Sequence, residues 1–150
     1  MSSIPVAPLP QHLTTVQSWS LDSTAELARL RAELATALAE SKDEPRSDHA
    51  ELARGLVLVC SELATNALAH GHPPTVVRLM KDSVYVLDVM DHDPDGVPEI
   101  ASGRGPGDGG FGLVLAGMIA GDVGWYSAGR TKHVWASFPV HERQQVDASS

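Results

Sequence analysis

The sequence predicts an α/β domain. Two runs carry apolar residues at helical spacing, and two later stretches pair short β-prone runs across tight turns. A glycine-dense segment lies between the two strand pairs.

Residues 1–11 hold Pro5, Pro8 and Pro10 and read as a flexible arm. From His12 to Leu21 the chain alternates through Leu13, Val16, Trp19 and Leu21, which predicts a first strand. Ser23 is placed to cap a helix, and Glu26 three residues on completes a capping box. Leu27, Leu30, Leu34 and Leu38 form one stripe, so the helix covers 23–40. SKDEPRSD, with Pro45, breaks the pattern. Ser47 or Asp48 starts a second helix over 48–70, with Leu52, Leu56, Val59 and Leu63 as its buried stripe. Gly71 suits a left-handed residue closing that helix, with Pro73 and Pro74 beyond.

Val76–Met80 and Val84–Val89 predict a strand pair turned at Lys81-Asp82-Ser83. Residues 101–112, with Gly103, Gly105, Gly107, Gly109, Gly110 and Gly112, predict a loop or lid with open backbone amides. Leu113 to Ala120 predicts a short helix. Val123–Ser127 and Lys132–Val140 predict a closing hairpin around Ala128-Gly129-Arg130. The organisation is one domain over 12–140 and a polar tail over 141–150, with no internal repeat.

A formal charge of -8 argues against broad binding to nucleic acid or an anionic membrane, and leaves room for a basic protein partner. Cys60 is the single cysteine, which excludes an intrachain disulfide and a cysteine-based zinc cluster; it reads as a buried thiol. No apolar run is read as approaching the roughly 20 residues of a membrane span. MSSIPVAPLPQ lacks the parts of a signal peptide, so a cytoplasmic protein is the default expectation.

The chemistry concentrates in Ser61-Glu62-Leu63-Ala64-Thr65-Asn66-Ala67-Leu68-Ala69-His70-Gly71. Glu62 and Asn66, four apart, lie one above the other on a helix. Magnesium takes oxygen ligands and keeps waters and phosphate oxygens, which suits one asparagine oxygen; a glutamate one turn away suits a proton acceptor for phosphoryl transfer. Spacing alone also fits two solvent-facing residues. Asp91, at a strand end, suits an acceptor for an exocyclic amino group, or a turn aspartate. GRGPGDGGFG lacks the Lys-Ser/Thr of a P-loop, yet glycines running into Leu113-Val114-Leu115 suit anion binding by free amides. His70, His72, His92 and Asp93 match no strong zinc spacing.

In order, SELATNALAHG, two strands ending at Asp91, a glycine lid with GFGLVLAGMIA, and a strand ending HVWASF resemble the GHKL ATPase superfamily. More narrowly, the chain resembles the bacterial anti-sigma factor serine/threonine-protein kinases, from Trp19 to Phe138. The resemblance implies a two-layer sandwich with helices on one face of a mixed, mostly antiparallel sheet. It implies Glu62 as general base, Asn66 as the magnesium ligand and Asp91 as the adenine acceptor. Gly110 and Gly112, with Gly107 and Gly109, would meet the phosphates; Phe111 and Leu113 belong to the same nucleotide-binding stretch.

ATP and Mg2+ are the implied cofactors. A sigma factor and an anti-anti-sigma antagonist phosphorylated on serine are the implied partners, and a homodimer the implied assembly. A non-catalytic ATP-binding regulator is the rival expectation. The chain departs from the family at Asp93, where glycine is usual, at Phe111, where arginine is frequent, and at His133, near a frequent threonine, with Thr131 beside it.

Overall fold

The computed structural model describes residues 2–3, 5–40, 47–93, 99–100 and 121–139. In chain order these form β1 (Ser2–Ser3), β2 (Thr14–Leu21), a 3-10 turn (Thr24–Glu26), α1 (Leu27–Glu40), α2 (Ser47–His70), β3 (Thr75–Lys81), β4 (Val84–Asp91), β5 (Glu99–Ile100), β6 (Asp122–Ala128) and β7 (Thr131–Pro139). The two-residue strands β1 and β5 pair with each other. The main sheet has five strands in the order β2-β3-β4-β7-β6.

All four pairings in that sheet are antiparallel, where a mixed sheet was expected. Among the described residues the one parallel contact is the isolated bridge between Val6 and Trp125. Strand alternation gives the sheet two distinct faces. Trp19, Leu21, Val77, Leu79, Tyr85, Leu87, Val89, Ala136 and Phe138 point to one side and are buried against the stripes of α1 and α2. Both helices therefore lie on one face, and the domain is a two-layer α/β sandwich.

α1 begins as the sequence predicts, with a small change in the cap. The Ser23 hydroxyl accepts from the Ala25 amide, while the Glu26 carboxylate accepts chiefly from the amide of Asp22. The Trp19 indole donates to Glu33 at 2.8 Å and ties β2 to α1. α2 corrects one expectation: by length and composition Ala50–His70 is apolar enough to cross a membrane. In the fold Leu56, Val59, Cys60, Leu63 and Ala64 of that segment belong to the core under the sheet.

The arm is laid on the sheet. Ala7 donates to the Trp125 carbonyl at 2.9 Å, Trp125 donates to Pro5, and the Trp135 indole donates to Ala7. Ala7, Leu9 and Leu13 pack there against Met80, Val86 and Trp135, a second apolar cluster on the sheet face turned away from the helices. The closing hairpin forms as expected, and Gly129 takes φ +63 in its turn. The lid and the helix expected over 113–120 lie outside the described residues.

Candidate functional site

The site is built at the C-terminal end of α2. Ser61 faces α1, where its hydroxyl accepts from Arg31 at 3.2 Å. One residue on, Glu62 lies about 100° around the helix. Asn66 follows one turn later on the same side of the helix as Glu62, and both are half-buried. Asn66 Oδ1 is buried and has no hydrogen-bond partner. A buried carbonyl oxygen without a donor is uncommon and costs free energy. No described residue hydrogen-bonds to the Glu62 carboxylate.

The end of α2 is fixed to the end of β4 by backbone contacts. Gly71 donates to Ala67 at 2.8 Å, and His92 donates to the His72 carbonyl at 3.1 Å. The His92 ring nitrogen Nδ1 lies 3.1 Å from the Pro74 carbonyl, an acceptor, so Nδ1 is the protonated position. These contacts bring Asp91 against Gly71. Gly71 does not take the left-handed conformation expected of it; Gly129 is the one glycine with positive φ among the described residues. Its missing side chain serves a close approach instead: a Cβ there would stand 2.4 Å from Asp91 Oδ2.

Asp91 is the last residue of β4 and is buried at 3% exposure. Its Oδ1 accepts from the Asp93 amide at 2.9 Å, an Asx-type turn. Its Oδ2 lies 3.5 Å from Lys132 Nζ. Lys132 is the direct cross-strand neighbour of Asp91 on β7. Thr75 opens β3, and its buried hydroxyl also has no partner. Extending the β3–β4 register one residue past Val76–Met90 puts Thr75 in the row of Asp91. Asn66 Oδ1 and Thr75 Oγ1 are the two buried, unpartnered side-chain atoms among the described residues, and both belong to this end of the domain.

The opposite sheet face carries a different polar group. Asp88, fully buried, accepts from Arg78 Nε at 3.1 Å and Nη2 at 2.6 Å. His133 Nδ1 lies 3.1 Å from both Asp88 oxygens. The His133 ring stacks on Tyr126 at 4.5 Å, and its Nε2 meets the Thr131 hydroxyl at 3.1 Å. Burial first, then the Asp88 charge, pushes the Tyr126 hydroxyl above its usual pKa. His133 and Thr131 thus stand apart from Asp91, and the residue opposite Asp91 is Lys132.

Of the expected site residues, Glu62 and Asn66 lie one turn apart on the C-terminal half of α2, and Asp91 is placed against Gly71 just beyond its end. Gly107, Gly109, Gly110, Phe111, Gly112 and Leu113 lie outside the described residues. Among the described residues no group of three or more histidine, cysteine, aspartate or glutamate side chains is placed to hold a metal ion. Cys60 is fully buried, and burial pushes its thiol up to about 12, which keeps it protonated and unreactive near neutral pH.

Lys132 was missed from the sequence. Its signal was strand parity: Lys132, Val134, Ala136 and Phe138 share one face of β7, and the last three are apolar. A lysine at a core-facing position is the irregularity that marks a site. The chain matches no known protein family and no curated protein.

Proposed function

We propose that this chain is an ATP-binding serine/threonine-protein kinase of the anti-sigma type, with a GHKL-like nucleotide site at the end of α2. The observation that carries this reading is Asn66 Oδ1, a buried oxygen with no donor, one helical turn from a glutamate that no described residue engages. An oxygen ligand beside a free carboxylate is the donor set a magnesium–nucleotide site requires. Asp91, held at the same end by Gly71 and the Asp93 amide, supports the reading with an oxygen for an amino group on the base.

Bound Mg-ATP would supply the transferable phosphoryl group and the positive charge that offsets the phosphates. The chain's own contribution is positional. Asn66 would hold the cation through Oδ1. Glu62 would accept, on its carboxylate, the proton of a substrate serine hydroxyl. Asp91 would fix the base through Oδ2. The expected partners are a sigma factor, held inactive by binding, and an antagonist protein carrying the serine, in a cytoplasmic homodimer.

A non-catalytic nucleotide-binding regulator is the second reading. Asp93 favours it, because it sets a further carboxylate beside Asp91 where the family carries glycine. Incubation with labelled ATP, magnesium and candidate antagonist proteins separates the two. Label on a serine of one candidate supports the kinase. Bound nucleotide without transfer supports the regulator, and no bound nucleotide contradicts both.

A further inference from the structure

We propose that Lys132 is a specificity-determining residue that reads the purine edge together with Asp91, an inference that rests on the nucleotide-site reading above. Lys132 is an unusual residue for its place. Its side chain is 9% exposed, on the face of β7 whose other members pack into the helix layer. Among the described residues its ammonium has a single partner, Asp91 Oδ2, at a separation of 3.5 Å. An ammonium carries three donors, and a buried charge with one long contact contributes little to stability. The group has donors left over, in a part of the fold that also contains the unpartnered Thr75 hydroxyl.

The geometry of Asp91 says where those donors act. Oδ1 is taken by the Asp93 amide. Oδ2 packs against the backbone of Gly71 on one side and faces the Lys132 ammonium on another. The pair therefore presents an acceptor beside a donor. Its complement is a ring edge with a donor beside an acceptor. Adenine has that edge, an exocyclic amino group next to an unprotonated ring nitrogen. Asp91 Oδ2 accepts from the amino group, and Lys132 donates to the ring nitrogen. Neither contact requires the other to be abandoned, so the ion pair is part of the recognition surface.

The test compares ATP with 1-deaza-ATP, in which a C–H replaces that ring nitrogen and the amino group is kept. Dissociation constants are measured on the full chain with magnesium, for the natural protein and for Lys132→Met. The natural protein is expected to bind ATP at least about tenfold more tightly than 1-deaza-ATP, as loss of a charge-assisted hydrogen bond implies. In Lys132→Met the two ligands should bind alike. Equal binding of both by the natural protein overturns the role of Lys132 while leaving the nucleotide site standing. Failure of the natural protein to bind either ligand overturns the site itself, and the inference with it. Discrimination retained in Lys132→Met would assign the ring-nitrogen contact to another donor and overturn the inference, and Lys132→Leu is read in the same way where Lys132→Met does not fold.

Discussion

Asp88 and Asp91 stand three residues apart on β4, so they face opposite sides of the sheet. Both are buried. Asp88 is saturated by its own chain: Arg78 from β3 and His133 from β7 clamp it across three strands. Asp91 is held more loosely, since one oxygen serves a local turn and the other packs against Gly71 with a lysine 3.5 Å away. A buried carboxylate whose partners the fold supplies is scaffold. One whose remaining acceptor has a single long ion pair is the candidate for a ligand contact under the proposed function.

The largest effect should come from the ligand-facing region without disturbing the scaffold. Glu62→Gln is expected to keep nucleotide affinity and lower phosphate transfer by about 100-fold or more, measured as label appearing on the antagonist serine. Transfer at the natural rate would remove Glu62 from the role of base. The two aspartates give the sharpest contrast. Asp88→Ala leaves Arg78 and His133 without their buried acceptor and should cost about 3–5 kcal/mol of unfolding free energy in a urea titration. Asp91→Asn keeps an oxygen acceptor for the turn amide but takes the counter-charge from Lys132, so it should cost less, about 1–3 kcal/mol, yet weaken ATP binding clearly. Equal stability losses would dissolve the distinction.

Most of the fold was legible in the sequence because its signals are local. Both helices follow from leucine spacing, and the paired strands from alternation and short turns. The placement of the arm was not legible, since three prolines say nothing about which sheet edge they lie along. The all-antiparallel order of the main sheet depends on β4 pairing with β7, a contact between segments some forty residues apart. Within the site, Glu62 and Asn66 were readable from helix periodicity. Gly71 was read as a cap when its role is clearance for Asp91, which only the tertiary contact reveals. Lys132 was visible as a parity violation, but its meaning required knowing that Asp91 is its cross-strand neighbour.

Smaller changes refine the comparison. Gly71→Ala inserts a carbon 2.4 Å from Asp91 Oδ2 and 2.8 Å from the Ala67 carbonyl. It should destabilise the protein by about 1–3 kcal/mol and reduce nucleotide affinity, read from thermal unfolding and ligand titration. An intact affinity would place Asp91 outside the site. The smallest effect lies at the exposed start of α1. Glu26 is held below its usual pKa, first by the Asp22 amide, with lesser contributions from the Ser23 amide and Arg29, while desolvation acts in the other direction. A carboxyl lowered in the folded state adds stability above its ordinary value of 4.5 and loses it as acidification passes through the folded value. Glu26→Gln should therefore flatten that acid limb slightly and leave nucleotide binding unchanged. A change in binding would make this exposed helix cap part of the site, which the account does not allow.

The central claim is that the end of α2 supplies an oxygen ligand for a nucleotide-bound cation. It is tested most directly by titrating ATP into the natural protein and into Asn66→Ala, each with magnesium and with a chelator. The account predicts binding by the natural protein that tightens when magnesium is present, and loss of that magnesium dependence in Asn66→Ala. An affinity unchanged by the substitution, with magnesium present, would contradict it.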